Sequence, residues 1–107
     1  MTDTLDSLET RAPDARERDL MAALPQLIAR AQQAPGWARI LDGIDAASIT
    51  SRTALAQLPV TRKSDLKQLQ HDVLPFGGLN TTPKNALSRV FVSPGPIFDP
   101  EGRGPDW

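Results

Sequence analysis

The chain has 107 residues, with twelve basic and thirteen acidic side chains, and its net charge of −1 gives no overall field that would hold it to nucleic acid or an anionic membrane. It contains no cysteine, which excludes a disulfide framework and a thiolate metal site and is compatible with a reducing cytosol. Its N-terminus is acidic and no stretch approaches the roughly 20 apolar residues of a membrane span, so we expect a cytoplasmic protein.

The first helix is predicted after a polar N-terminal stretch. Residues 1–12 show no sustained apolar period, and we expect a flexible arm there. From Pro13 onward, apolar side chains recur with the period of a helix and form one stripe: Leu20, Leu24, Leu27 and Ile28. Pro25 lies inside this pattern and lacks the backbone N–H, so a kink or a break into two helices is expected near residues 21–25.

Three further short helices follow in the sequence. A brief apolar face begins at Trp37, whose ring is expected to pack in the core rather than to anchor a partner. Thr50 or Ser51 can accept a backbone N–H at the start of the next helix, and Thr61 can do so for the last one.

The C-terminal third changes character, because prolines and glycines punctuate it. The predicted fold class is mainly α, with short helices over residues 13–70, then a loop and one β-strand near residues 87–92. A lone strand needs a partner sheet or an oligomer. We therefore divide the chain into a flexible arm (1–12), a small helical domain with one strand (13–92) and a Pro/Gly-rich tail (93–107).

Few polar side chains are arranged for chemistry. Arg62, Lys63 and Lys67 form a small basic cluster that could contact phosphate or CoA, although a solvated helix face explains it more simply. His71 is the single histidine and has no cysteine beside it, so we interpret it as a polar residue at a helix end. We expect no metal site and no catalytic residue in this chain.

Three segments carry a resemblance to a known family: residues 58–66, 75–79 and 90–96. Together they resemble the N-terminal region of phenylacetate–CoA ligase-like proteins, which are adenylate-forming enzymes. In that family a Ser/Thr/Gly-rich loop after the first strand surrounds the ATP phosphates. Only Ser93 and Gly95 match that loop here, and the usual lysine of the loop has no counterpart.

The segment after the predicted strand therefore has three interpretations. It is a disordered or interface tail, an altered nucleotide loop, or an ordinary turn. Pro94, Pro96 and Pro100 have no N–H to offer to a phosphate, and Asp99 and Glu101 would repel it. The position in the chain is what favours the nucleotide loop, with Ser93 and Gly95 as its cofactor-binding residues.

The resemblance also implies a function for a longer parent protein. Such an enzyme activates a carboxylic acid, here a phenylacetate-like one, with ATP and Mg²⁺ to an acyl-adenylate and transfers the acyl group to CoA. The other motifs of the family would lie beyond residue 107, so this fragment alone is expected to be inactive and to hold no cofactor. Its partner would be the missing catalytic core, or a second copy. The alternative is a non-catalytic helical module that binds another protein, or itself, through the face of Leu20 and Ile28.

Overall fold

The computed structural model describes residues 3–104, and these fall into two compact units. Within the described residues, the first unit comprises residues 3–29 and 45–57, and the second comprises residues 30–44 and 58–104. Residues 1–2 of the predicted arm and residues 105–107 of the predicted tail lie outside the described range.

Helices dominate both units, as the sequence predicts. The α-helices of the described chain are α1 (Pro13–Ala31), α2 (Pro35–Ile40), α3 (Arg52–Leu55) and α4 (Lys63–Asp72), with short 3-10 turns at Ala46–Ser48 and Lys84–Ala86. The strands are β1 (Arg89–Ser93) and β2 (Ile97–Glu101). The mainly helical fold class is therefore confirmed.

The predicted break in the first helix is wrong, because α1 continues through Pro25 to Ala31. A proline inside a helix removes one backbone hydrogen bond, and the remaining bonds of a 19-residue helix can hold the segment together. The residues of the apolar stripe of α1 differ in how deeply they are buried. Ile28 is buried and Leu24 half-buried, whereas Leu20 and Leu27 are exposed.

Two buried isoleucines and an ion pair between α1 and α3 stabilise the first unit. Ile28 and Ile49 are its buried apolar residues. The guanidinium of Arg52, at the start of α3, donates two hydrogen bonds of 2.7 Å to the carboxylate of Glu17 on α1. Ser51 caps α3, since its hydroxyl oxygen accepts from the N–H of Ala54 at 3.1 Å, which confirms one of the two predicted caps.

In the second unit, α2 packs closely against a glycine-rich loop. The N–H of Gly36 donates to the carbonyl of Gly78 at 2.7 Å, and both Gly77 and Gly78 have positive φ, which glycine adopts at little cost. Trp37 is half-buried on α2, and Phe76 in the loop is almost fully buried.

The start of α4 differs from the prediction by one residue. Arg62, not Thr61, occupies the N-cap position, and no side chain caps the helix there. Thr61 lies one position too early for its hydroxyl to accept from the first turn. Of the basic residues, Lys63 is the first residue of α4, and Lys67 lies one turn further along.

The prediction of a lone strand that needs an outside partner is wrong. β1 pairs antiparallel with β2 of the same chain, with Ser93 opposite Ile97 and Arg89 opposite Glu101. Pro100, the proline within β2, is accommodated by the orientation of the strand. Phe98 directs its N–H and C=O to the side chain of Gln70 on α4, and strand geometry places the nitrogen of Pro100 on that same side, away from β1. No ladder hydrogen bond is lost.

Candidate functional site

The candidate site is the hairpin turn, Pro94 to Pro96, together with the strand end that precedes it. Ser93 is the last residue of β1, and its hydroxyl donates to the carbonyl of Ile97 at 3.4 Å. Gly95 has a φ of 136°, a conformation that L-residues rarely adopt. The structure thus shows an ordered turn at the two residues that match the family loop, in place of a disordered tail.

Lys63 lies beside this turn, and the sequence did not reveal this. A Cβ atom placed on Gly95 would lie 3.5 Å from Cε and 4.0 Å from Nζ of Lys63. The side chain therefore brings a positive charge to the turn from the start of α4. Sequence reasoning assigned Lys63 to a solvated helix face, because nothing in the spacing predicts that α4 lies along the hairpin.

The end of the hairpin opposite the turn carries an ion pair between its two strands. Arg89 and Glu101 are opposite each other, and the guanidinium donates to both carboxylate oxygens, with one bond of 2.9 Å. This hydrogen bonding lowers the pKa of Glu101 and raises that of Arg89. The guanidinium also lies 5.2 Å from the ring centre of Phe91, which is a cation–π distance. Glu101 is thus neutralised locally and sits at the opposite end of β2 from the turn.

The residues of the turn fit a phosphate group, but not the backbone cradle of a glycine-rich loop. Such a cradle needs several converging N–H groups, and Pro94 and Pro96 have none, which leaves the N–H of Gly95. The ammonium of Lys63 adds three donors, whereas the single O–H of Ser93 donates to the carbonyl of Ile97 in this structure and would have to rotate to reach a phosphate. This donor set suits one phosphate group bound mainly through the lysine charge.

The remaining predicted sites are placed as follows. His71 lies in the last turn of α4 with a side chain that is 83% exposed, and its Nδ1 is 3.3 Å from Asp72, so it is a polar residue at a helix end. Within residues 3–104, no three His, Asp or Glu side chains come together as metal ligands would. In the same part of the chain, no helix combines the length and apolar character needed to cross a bilayer.

The segments that carried the family resemblance all lie in the second unit. Residues 75–79 form the glycine loop against α2, residues 58–66 lead into α4, and residues 90–96 form β1 and the hairpin turn. Residues 75–79 supply scaffold contacts. The other two segments supply the candidate phosphate position, through Lys63 in one and through Ser93 and Gly95 in the other.

Comparison with solved structures finds the same fold in part of 2-hydroxyisobutyryl-CoA ligase. The open conformation of that ligase, in complex with 2-HIB-AMP and CoA, is 25% identical with a TM-score of 0.79, over 96% of this chain and 26% of that one. The postadenylation state with 2-HIB-AMP is 23% identical with a TM-score of 0.78, over 96% and 24% of the two chains. The thioesterification state, with both ligands, gives 24% and 0.77 over the same shares.

These matches define what the chain is similar to and how much of it is covered. The chain spans about a quarter of the length of the ligase structures. No protein-family model matches the chain, and no curated protein sequence matches it. The predicted resemblance to adenylate-forming CoA ligases is confirmed by the shared fold.

Proposed function

We propose that this chain is the N-terminal part of an ATP-dependent carboxylic acid–CoA ligase. The observation that carries the proposal is the shared fold with a ligase whose structures hold an acyl-adenylate and CoA, over 96% of this chain. The matched region includes almost all of the chain, so the hairpin turn and α4 belong to the shared part. The reaction joins an acid to AMP from ATP, releases pyrophosphate, and then transfers the acyl group to the CoA thiol.

In this proposal the chain contributes a contact to the ATP phosphates. The ammonium of Lys63, the N–H of Gly95 and the hydroxyl of Ser93 would hold a phosphate group at the hairpin turn. Mg²⁺ would supply further positive charge to the triphosphate, and its ligands would come from outside residues 3–104 or from the nucleotide itself. A fixed positive charge stabilises the negative charge that builds on the leaving pyrophosphate.

The acid that we propose is phenylacetate-like, following the family that the sequence resembles. The solved ligase carries 2-hydroxyisobutyryl-AMP, a small aliphatic acyl group, and so provides the natural comparison acid. An activity assay with a panel of carboxylic acids that includes both would show whether the acyl pocket accepts an aromatic or an aliphatic acid.

The test uses the natural protein that contains this segment, purified at its native length. We expect pyrophosphate exchange into ATP that depends on a carboxylic acid, and thioester formation once CoA is added. Lys63→Met should raise the KM for ATP roughly tenfold, because a charge-assisted hydrogen bond contributes about 1.5–3 kcal/mol. Lys67→Met is the matched control, since Lys67 belongs to the same basic cluster and is not among the side chains near Gly95. Absence of exchange with every acid of the panel would overturn the proposal.

A second function has one observation in its favour. Leu20 and Leu27 of α1 are 47% and 61% exposed, and both lie on the face predicted for protein interaction or self-assembly. The intact mass of the natural protein in its source cell separates the two functions. A mass several times that of this chain supports the ligase, and a mass near 11.6 kDa supports the free-standing module.

A further inference from the structure

One buried polar side chain in the second unit has a role that the proposed function does not use. Gln70 of α4 is 6% exposed, although glutamine is mostly found at the surface. Both ends of its amide bond one residue of β2: Nε2 donates to the carbonyl of Phe98, and Oε1 accepts from the N–H of Phe98, both at 2.9 Å.

This pair of bonds is specific to the amide group. Gln70 offers one donor and one acceptor in the arrangement that a neighbouring strand would offer, and so it covers the outer edge of β2 at Phe98. An apolar residue at this position would leave two buried backbone groups without partners. The carboxylate of a glutamate would accept from the N–H but repel the carbonyl.

The same helix face carries Lys63. Positions 63 and 70 are seven residues apart, close to two full turns, so both side chains lie on one face about 10 Å apart along the axis. On the hairpin, Gly95 lies in the turn and Phe98 is the second residue of β2. The two contacts, Lys63 with Gly95 and Gln70 with Phe98, therefore join one face of α4 to one short segment of the hairpin.

We propose that Gln70 is a positioning residue: by bonding Phe98 it sets the register of the hairpin on α4 and thereby keeps the turn of Ser93 and Gly95 beside the Lys63 ammonium. Its consequence for ATP binding rests on the proposed function, whereas the positioning itself does not. Hydrophobic packing alone would let the strand shift slightly along the helix. The two hydrogen bonds between Gln70 and Phe98 prevent such a shift, because any movement along the strand would break both of them.

The experiment measures this register in the 107-residue chain by NMR. In the unmutated chain we expect nuclear Overhauser contacts between the Lys63 Hε and Gly95 Hα protons. Gln70→Met should abolish them and speed hydrogen exchange at the N–H of Phe98. Leu69→Ala is the destabilisation control, because Leu69 lies against Gly77 and makes neither of the hydrogen bonds to Phe98, and it should lower the Tm yet keep the contacts. Contacts of unchanged intensity in Gln70→Met would overturn the proposal.

A second variant keeps the test valid if Gln70→Met does not fold. Gln70→Glu should lose the Lys63–Gly95 contacts at pH 7 and regain them near pH 5, since burial raises the pKa of a glutamate and its neutral acid can again both donate and accept. A register insensitive to pH in this variant would argue against the proposal.

The ligase assay distinguishes a failure of positioning from a failure of the proposed function. Gln70→Met in the native-length enzyme should raise the KM for ATP by about the same factor as Lys63→Met, with a smaller change in kcat. Lost NMR contacts with an unchanged KM would support the positioning and overturn the phosphate role of the turn.

Discussion

At the scale of single residues, Gly36 shows how closely two backbone segments approach. A Cβ atom at this position would lie 2.6 Å from the carbonyl oxygen of Gly77 and 2.8 Å from Leu79 Cδ2. Overpacking typically costs about 1–3 kcal/mol, which exceeds the roughly 0.5–1 kcal/mol that alanine gains over glycine in a helix. We therefore expect Gly36→Ala to lower the free energy of unfolding by about 1–2 kcal/mol in urea titrations.

A second glycine provides the control for that measurement. Gly104 has no atom within 4 Å of its virtual Cβ, so Gly104→Ala should leave the urea midpoint unchanged within error. A Gly36→Ala variant as stable as the parent would show that the glycine loop can move away, and that the contact with α2 does not require a glycine.

Two of the guanidinium–carboxylate pairs, Arg52 with Glu17 and Arg89 with Glu101, predict a pH dependence that can be assigned residue by residue. Hydrogen bonds from Arg52 lower the pKa of Glu17 below its ordinary value of 4.5. Because the pKa is depressed in the folded state, the stabilising contribution is present above the ordinary value and is lost as the pH falls through the folded pKa. NMR of the Glu17 carboxyl carbon should report a pKa below the ordinary value in the unmutated chain. In Arg52→Met this pKa should return toward the ordinary value.

Each pair serves as the control for the other. Arg89→Met should shift the titration of Glu101 upward, since hydrogen bonding from Arg89 lowers that pKa, and should leave Glu17 unchanged. If Arg52→Met leaves the pKa of Glu17 unchanged, the ion pair between Arg52 and Glu17 is not formed in solution. Both guanidinium side chains are exposed, so added salt should weaken both shifts.

At the scale of elements, β1 is unusual because its apolar residues face solvent. Val90, Phe91 and Val92 are 46%, 51% and 60% exposed, and a hairpin strand with this composition is a template for association with other chains. We expect Phe91→Thr to keep the strand, since threonine favours β structure, and to raise the concentration at which the chain aggregates in light-scattering measurements.

Val60→Thr separates strand-driven association from general surface hydrophobicity. Val60 is 86% exposed but lies outside the strands, so removing its apolar surface should change the aggregation threshold less than Phe91→Thr does. Equal effects of the two substitutions would show that exposed apolar area alone, and not the strand edge, drives association.

The elements also show which parts of the fold the sequence could predict. Helix periodicity and the hydroxyl of Ser51 are local signals, and they identified the helical class and the start of α3. The pairing of β1 with β2 was missed because Pro100 is compatible with a strand only when its nitrogen faces away from the partner. That orientation is fixed by Gln70, which is distant in sequence, so no local pattern reports it.

The sequence predicted only part of the candidate site, because local patterns do not report contacts between distant segments. Ser93 and Gly95 follow the strand directly and match a family motif, so their position could be predicted from the sequence. Lys63 reaches the turn only because α4 lies along the hairpin, and tertiary packing of this kind leaves no trace in residue spacing. In the proposed function, Lys63 would supply from a helix the charge that a loop lysine supplies in the family.

At the scale of the whole molecule, the proposed ligase function predicts that the 107-residue chain is inactive by itself. The chain spans about a quarter of the ligase structures that share its fold, and the contact that we propose for it reaches one phosphate group. Transition-state stabilisation needs groups positioned around every reacting atom, and a single phosphate contact leaves the acid and the thiol without orientation. We expect no AMP or acyl-CoA above background when the purified chain is incubated with MgATP, CoA and either phenylacetate or 2-hydroxyisobutyrate. Turnover that disappears in Lys63→Met but persists in Lys67→Met would contradict this expectation, because it would show that the residues of this chain suffice to build a working site.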